Sequence, residues 1–583
     1  MSHIPTVSVV RRGRLRPSPW DVVAVCLVAG ILALVIYGAR QMGGPLAGVA
    51  AADISLSPLK LPEYALRTTL RMFAALVASL LFTFIYATAA AKSRRAEAVL
   101  IPILDVLQSV PVLGFLSFTV VGFMALFPGS VAGAECAAIF AIFTAQAWNM
   151  AFSFYQSLRT VPLDLDEVSR AFRLTGWQRF WRLEVPFATP ALVWNMMMSM
   201  SGSWFFIVAS EAISVGHTEI ALPGIGSYVA RAIAGRDLAA VGYAVGAMFL
   251  VILAYDQLLF RPLVAWAGKF RFQQETAQAP PGVWLLHVLN RAPLVQLALA
   301  PVQRGLAALA HAPMALPGAG RRKNAQARAR TRRWAGFMSG ALWWGFWLVL
   351  AGLGLRALYL ELWGHVGWSD ALEAVVLGLM TLLRVVVLVA LASVIWVPIG
   401  VFIGFRPRLA GRIQPVAQFL AAFPANLLFP GAVAAILHFG LDPDIWLSPL
   451  MILGAQWYIL FNVIAGASAF PNDLRDAAAN FRVAGPSWWF RVVLPGVFPY
   501  FLTGGLAATG GCWNASIVAE FVTWGDTALQ ARGLGSYIAT ATAAGDYPRL
   551  ILGVTAMAIF VTLFNRLFWR PLNRYAERRL RLN

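Results

Sequence analysis

The feature that most limits what this chain can fold into is its series of apolar stretches, each about 20 residues or longer, the length at which a helix crosses the hydrocarbon of a bilayer. One set runs from Trp20 to Ala39, Pro62 to Ala91, Val99 to Leu126, Gly133 to Ser157, Pro186 to Ser210 and Ala239 to Phe260. A second set runs from Trp334 to Leu355, Ser369 to Gly404, Ile413 to His438, Trp446 to Gly466, Pro495 to Ile517 and Tyr547 to Phe568. Backbone groups in lipid must be satisfied within their own segment, so the expected fold class is an all-α integral membrane protein of about twelve transmembrane helices.

The composition agrees, with 59% apolar and 12% charged residues among 583. A formal charge of +20 could suggest a polyanionic partner. The basic residues, however, punctuate apolar segments instead of gathering on one domain, so they read as topology signals and nucleic acid is excluded. Cys26, Cys136 and Cys512 have no CxxC spacing and the six histidines form no cluster, so no metal site is expected.

Placing Arg11, Arg12, Arg14 and Arg16 inside puts Lys92-Ser93-Arg94-Arg95, Arg406 to Arg412 and the basic C-terminal tail inside as well, which selects cytoplasmic N- and C-termini. The first span exceeds the core length of a signal peptide and is expected to be retained. Between the halves, a basic linker carries Arg321-Arg322-Lys323 and Arg328 to Arg333. Its apolar middle, Val283 to Ala312, is interrupted by Arg291, Pro293, Pro301 and Arg304. Helices at the membrane interface or a partly disordered tether both fit it better than a crossing.

The second half repeats the first. Leu70-Arg71 recurs as Leu383-Arg384, Pro102 and Pro111 as Pro415 and Pro424, Trp204 as Trp513, and Glu211 as Glu520. Gly224-Ile225-Gly226-Ser227-Tyr228 recurs as Gly533-Leu534-Gly535-Ser536-Tyr537, Asp237 as Asp546, and Arg261-Pro262-Leu263 as Arg570-Pro571-Leu572. Apolar helices share composition by chance, but not punctuating polar residues in register. An even number of spans per unit makes the six-helix repeats parallel, with a pathway between them and two matching loops on one side for a twofold soluble partner.

The expected organisation is an N-terminus, first span and outer loop (1–61), a first repeat (62–263), the cytoplasmic linker (264–333), a seventh span and outer loop (334–368), a second repeat (369–572) and a basic tail (573–583). Within the repeats, a polar loop precedes a proline re-entry near 162–186 and again near 471–495. The first reads Asp166-Glu167-Val168-Ser169-Arg170-Ala171-Phe172-Arg173-Leu174-Thr175-Gly176, continuing to Pro186. The second reads Arg475-Asp476-Ala477-Ala478-Ala479-Asn480-Phe481-Arg482-Val483-Ala484-Gly485, continuing to Pro495. Each predicts a short helix with an acidic start and a glycine stop, presenting apolar and basic side chains to a groove.

At these residues the chain resembles the EAA loop of binding-protein-dependent ABC importer permeases of type I. It departs from that pattern in having Val168-Ser169 where small residues are usual, and Arg173 and Arg482 where glycine is usual. Phe423-Pro424 to Pro430, His438-Phe439-Gly440, Trp513 to Glu520 and Gly533-Leu534-Gly535 are most similar to the nitrate, sulfonate, taurine and bicarbonate branch. The resemblance covers both halves, without the first span of each half or the linker. It implies import of a small solute, an anion by branch, across a bacterial inner membrane.

The resemblance further implies that Glu167, Phe172, Arg173, Gly176, Asp476, Phe481, Arg482 and Gly485 belong to coupling loops. These would seat on two cytoplasmic ABC ATPase subunits, while a periplasmic or lipid-anchored binding protein delivers solute. No GxxxxGK[ST] occurs, so ATP and Mg are expected on the partner, with no cofactor on this chain and no enzymatic site of its own.

Arg71, Arg384, Trp204, Trp513, Glu211 and Glu520 are the candidate pathway residues. The arginines either attract an anion along the route or pair with Glu211 and Glu520 as a clamp, and buried charges generally find opposite charges. The tryptophans either narrow the route or pack between helices. Gly202, Gly510 and Gly511 suit close helix approach, while Gln108, Asn149, Asn195 and Asn514 suit interhelical hydrogen bonds ahead of contact with the solute. Two rivals compete with the importer reading. One is an ion-driven carrier or channel, which an acid in mid-span would favour and none is evident; the other is an ATPase-binding scaffold without transport.

Overall fold

A computed structural model of the chain describes residues 19–42, 54–215, 218–270, 283–312, 329–525 and 527–579. The N-terminal arginines Arg11 to Arg16 and the linker run Arg321-Arg322-Lys323 lie outside the described residues.

The first half begins with α1 (Pro19–Gln41), followed by α2 (Leu61–Lys92), α3 (Arg94–Ser109), α4 (Val112–Leu126) and α5 (Val131–Arg159). A short helix α6 (Leu163–Ala171) then leads to the long α7 (Val185–Glu211), a hairpin of β1 (Ala212–Val215) and β2 (Thr218–Ala221), α8 (Ile225–Ala234) and α9 (Leu238–Tyr255). The linker contributes α10 (Trp284–Arg291) and α11 (Pro293–His311).

The second half starts with α12 (Ala329–Leu362) and α13 (Trp368–Gly404), continuing through α14 (Pro407–Ala422), α15 (Phe429–Phe439) and α16 (Gln456–Ser468). It then repeats the pattern with α17 (Asn472–Asn480), α18 (Leu494–Ala519), a hairpin of β3 (Phe521–Trp524) and β4 (Thr527–Gln530), α19 (Leu534–Ala544) and α20 (Tyr547–Phe564).

Among the described residues nine helices are long and apolar enough to cross a membrane, and two bent pairs raise this to eleven. The remaining expected span, Val99 to Leu126, is broken between α3 and α4 at Pro111. Its counterpart bends by 73° at Phe423-Pro424. A residue before proline is pushed toward extended backbone, and Phe423 has ψ 127°, so the proline repeat seen in the sequence fixes both breaks. Lipid contact explains the exposed apolar side chains: Ile85 is 73% exposed, Leu348 71% and Val394 73%. The two spans outside the repeats are peripheral, with none of the apolar window of α12 buried.

The duplication extends to backbone detail. A π-helical turn occupies Phe180–Glu184 before α7 and Trp489–Val493 before α18, and another occupies Asp256–Phe260 and Asn565–Trp569 after the last spans. Pro186, Pro495, Pro262 and Pro571 each follow two residues after such a turn, where a proline lacks the donor and the ladder must reorganise.

Two antiparallel hairpins are the departure from a purely helical expectation, pairing Ala212 with Ala221 and Phe521 with Gln530 at their bases. They form because each long span ends at a glutamate and runs into β-branched or aromatic residues, Val522-Thr523-Trp524 before Gly525 in the second copy.

Candidate functional sites: two buried charge clusters and two exposed loop helices

At the start of α7 lies the polar loop, and at its end the hairpin; α18 repeats this, so each long helix connects two candidate sites.

The hairpin end holds a charge cluster. Glu211 Oε1 accepts from Thr68 Oγ1 at 2.7 Å and from Arg71 Nη1 at 2.7 Å, while Oε2 accepts from the backbone N–H of Gly226 at 2.7 Å. Arg71 also grips Glu135 with two hydrogen bonds of 2.6 and 2.7 Å. The carboxylate therefore sits at the N-terminus of α8, where unpaired backbone donors and the helix dipole favour a negative charge. The Gly-x-Gly sequence follows from this approach. A Cβ on Gly224 would fall 2.3 Å from the Glu211 carboxylate, and one on Gly226 would fall 2.3 Å from Val208 O.

The second copy repeats the arrangement with one difference. Glu520 Oε1 accepts from Thr381 Oγ1 at 2.9 Å and Arg384 Nη1 at 3.1 Å, and Oε2 accepts from Gly535 N at 2.8 Å. The second acid is Asp444, 3.0 Å from Arg384 Nη2 and 38% exposed. Arg384 itself is 13% exposed, whereas Arg71 is fully buried. Each arginine thus faces two carboxylates, and the geometry is that of a clamp joining the second span, the fifth span and the helix after the hairpin.

Glu135 and Asp444 were not anticipated. They stand near span ends, where an acid is unremarkable, but the two positions occupy the same place in the repeat and could have been paired by it.

Of the other candidate pathway residues, Trp204 is 2% exposed and edges a crevice between the halves lined also by Met200, Ser201, Gln418 and Phe461. Trp513 is 1% exposed and stacks on Phe560 with ring centroids 6.3 Å apart. The polar span residues join helices: Gln108 donates to Asn149 at 2.9 Å, Asn195 to Ser153 at 2.8 Å, and Val112 N to Asn514 Oδ1 at 2.8 Å. The last bond crosses between halves and has a counterpart in Asn426 Nδ2 donating to Phe205 O at 3.1 Å. Gly511 closely approaches Ala455, and Gly202 the hydroxyl of Tyr458, but Gly510 faces open space. The hairpin ends meet across the halves too, with Gly525 N donating to Ile233 O at 3.1 Å.

The loop end presents α6 and α17. Glu167, Phe172 and Arg173 are exposed, as are Asp476, Phe481 and Arg482, with Phe172 at 67% and Phe481 at 83%. The expected boundaries need correcting. α6 starts at Leu163 and α17 at Asn472, so Glu167 and Asp476 lie within the helices, and Asp164, Asp166 and Asp473 supply the acidic first turn.

Nor does glycine make the stop. Arg173 and Arg482 take the left-handed conformation that ends each helix, with φ 52° and 54°, while buried Gly176 and exposed Gly485 start the next short helices, Gly176–Arg179 and Gly485–Trp488. The chain reverses there because Leu174 N bonds Ser169 O and Val483 N bonds Ala478 O, both six-to-one closures.

The loops differ in what covers them. Trp177 Nε1 donates to Leu309 O at 2.7 Å and Gln178 Nε2 to His311 O at 2.9 Å, so α11 of the linker rests on the first loop. α11 is held in turn to α1, where Asp21 accepts from Leu294 N at 2.8 Å. In the second copy Pro486 and Ser487 stand in place of Trp177 and Gln178 and are exposed.

Comparison with known proteins matches residues 79–260 and again 396–582, together more than half of the chain, to the family described as binding-protein-dependent transport system inner membrane component. Among relatives, the nitrate import permease protein NrtB of Leptolyngbya laminosa is 26% identical over 187 residues, 32% of this chain and 63% of the relative. The bicarbonate transport system permease protein CmpB of Synechococcus elongatus is 28% identical over 177 residues, 30% of this chain and 60% of the relative. The glycine betaine/carnitine transport permease protein GbuB of Listeria monocytogenes is 28% identical over 170 residues, 29% of this chain and 54% of the relative. The matched stretch thus spans less than two thirds of each of these relatives. With the family matched once in each half, on either side of a linker, the chain belongs to the binding-protein-dependent transport system inner membrane components as a fused, duplicated member.

Proposed function

We propose that this chain is the transmembrane permease subunit of an ABC transporter importing a small anion, driven by ATP hydrolysed on two separate cytoplasmic subunits. The observation that carries this reading is the pair of exposed short helices, α6 and α17, at equivalent places in two repeats of one permease family. Each would seat in a groove of one ATPase subunit, with Phe172 or Phe481 as the apolar anchor. ATP and Mg belong to that partner. A binding protein, periplasmic or lipid-anchored, presents the solute at the hairpin side, and both termini of the chain lie on the ATPase side.

The transmission is local. A displacement of α6 passes through the π-helical turn Phe180–Glu184 into α7, and that of α17 through Trp489–Val493 into α18. Each long helix touches the broken third span of the opposite half through the Asn514 and Asn426 bonds, so the two fifth spans move against the other half. The charge clusters keep each hairpin, its long helix and the following helix together as one body. On closure of the ATPase dimer the hairpin ends separate at the Gly525–Ile233 contact and admit solute. Rigid bodies rocking about a midplane site suit a parallel repeat.

Nitrate and bicarbonate are the first substrates to test, since relatives in the nitrate and bicarbonate systems match this chain. The test is co-purification with the ATPase, comparing wild type with Glu167→Arg plus Asp476→Arg, followed by uptake into proteoliposomes holding the complete assembly. ATP-dependent uptake with loss of ATPase in the double variant is expected. Uptake driven by an ion gradient without any ATPase would overturn the proposal.

A further inference from the structure

Among the described residues, three that are not glycine hold a positive φ, and all three are arginines: Arg173, Arg236 and Arg482. Each stands just past a helix end and closes it with the same pair of backbone bonds, Arg173 N to Arg170 O, Arg236 N to Ile233 O and Arg482 N to Ala479 O, followed by the six-to-one bond of the next residue. Glycine fits this cap without steric cost and a long L side chain does not. The protein itself shows the alternative: the counterpart of Arg236 in the second repeat is Gly545, at φ 69°, closing the same turn. An arginine kept in such a place therefore has work for its side chain.

For Arg236 the work is visible. Its side chain lies over Gly525 of the opposite hairpin, so close that a Cβ there would come within 2.2 Å of Nε, and it bridges the two halves. Arg173 and Arg482 reach no such recipient. Both are exposed, and neither guanidinium makes a hydrogen bond or ion pair among the described residues. Two nearby cations of the first loop, Arg170 and Arg179, are engaged, both with Asp166. Arg182 and Arg491 form a second exposed and unengaged pair in these loops, but only Arg173 and Arg482 occupy the left-handed cap, at equivalent positions and each directly after an exposed phenylalanine, so a recipient beyond the described residues that occurs twice suits them.

We propose that Arg173 and Arg482 each form a forked pair with a carboxylate at the rim of the groove on the ATP-hydrolysing subunit, fixing the rotation of the seated helix while the adjacent phenylalanine fills the groove. This rests on the coupling-loop reading above. Guanidinium selects carboxylate through two parallel hydrogen bonds, and a rotational stop is what a cylinder lodged in a groove otherwise lacks.

The experiment uses the full chain co-expressed with its ATPase, purified in detergent, and scores ATPase retention against rising salt. Arg173→Gly plus Arg482→Gly relieves the backbone while removing the charges, so this variant folds at least as well as wild type and a loss cannot come from misfolding. Retention is expected to fall roughly tenfold at low salt and to become nearly salt-independent. Arg173→Lys plus Arg482→Lys, keeping charge without the fork, falls between. Glycine variants that hold the ATPase with the wild-type salt dependence overturn the proposal and leave the coupling reading standing, with lipid headgroups as the arginines' recipient. A wild type that retains no ATPase overturns both.

Discussion

Arg71 grips Glu135 by two parallel hydrogen bonds, Nε to Oε2 at 2.6 Å and Nη2 to Oε1 at 2.7 Å, with both side chains out of solvent. Because a second carboxylate, Glu211, bonds the same guanidinium, loss of Glu135 leaves the charge of Arg71 paired but takes away two of the three hydrogen bonds it makes to carboxylates in this buried site. Glu135→Ala leaves two buried guanidinium N–H groups of Arg71 without an acceptor, and a loss of about 2–4 kcal/mol is expected. Asp444→Ala in the second copy removes the acceptor of Arg384 Nη2 and of the Arg532 backbone N–H from an acid that is 38% exposed to solvent, and should cost less, about 1–2 kcal/mol. Thermal unfolding of the two variants in detergent reads the difference, and equal shifts would contradict the asymmetry.

The glycines in the first turns of α8 and α19 make the second prediction. Alanine at Gly226 or Gly535 places a methyl group 2.3–2.4 Å from a backbone carbonyl oxygen, of Val208 or Ser516, which is not a side chain that can swing aside. The helix start must retreat from Glu211 or Glu520, breaking the bond to its amide. A loss of about 1–3 kcal/mol or more is expected. Gly510→Ala, with no atom within 4 Å, serves as the neutral comparison. Yield of monodisperse protein and unfolding temperature are the measurements.

The linker gives a third. Trp177→Phe keeps the ring packing and deletes the donor to Leu309 O, worth about 0.5–1.5 kcal/mol. That is small against the whole fold but large against the docking of a two-helix segment, so proteolysis of the linker should speed up several-fold while the unfolding temperature stays put. Pro486→Ala, at the matching and uncovered place in the second copy, should leave linker cleavage unchanged.

Much of this architecture is legible in sequence because lipid leaves few choices. Spans follow from apolar length, and the parallel repeat follows from punctuating residues such as Trp204 and Trp513, Arg71 and Arg384. The proline pair Pro111 and Pro424 repeats in register, yet by itself it does not tell a break from a kink; Pro102 and Pro415 also repeat and stay inside helices. The hairpins escape notice because four-residue strands carry too little period to register against neighbouring apolar helices. Glu135 and Asp444 escape for a different reason: each stands near a span end, where an acid is unremarkable, and one copy has glutamate where the other has aspartate, so the pair does not show as an identity between the repeats. The loop helices are found, but their ends are misread: a cap at φ 52° normally signals itself by glycine, and here Arg173 takes the position while Gly176 waits three residues later.

Phe172 and Phe481 separate stability from coupling most cleanly. Both are large apolar side chains left outside the membrane spans and exposed, so neither supports the packing of the chain that carries it. Replacing both with alanine should alter the unfolding temperature of the isolated permease little, within about 0.5 kcal/mol of stability. If they anchor a partner, the same double variant loses most ATPase association, because truncating a central aromatic anchor commonly costs about 2 kcal/mol or more at each interface. Single variants carry further information. Among the described residues α11 rests on the first loop and not on the second, so Phe481→Ala, on the seat without that support, should weaken association more than Phe172→Ala. Association measured at matched protein concentrations, with ATP hydrolysis followed in parallel, distinguishes two unequal seats from two equal ones.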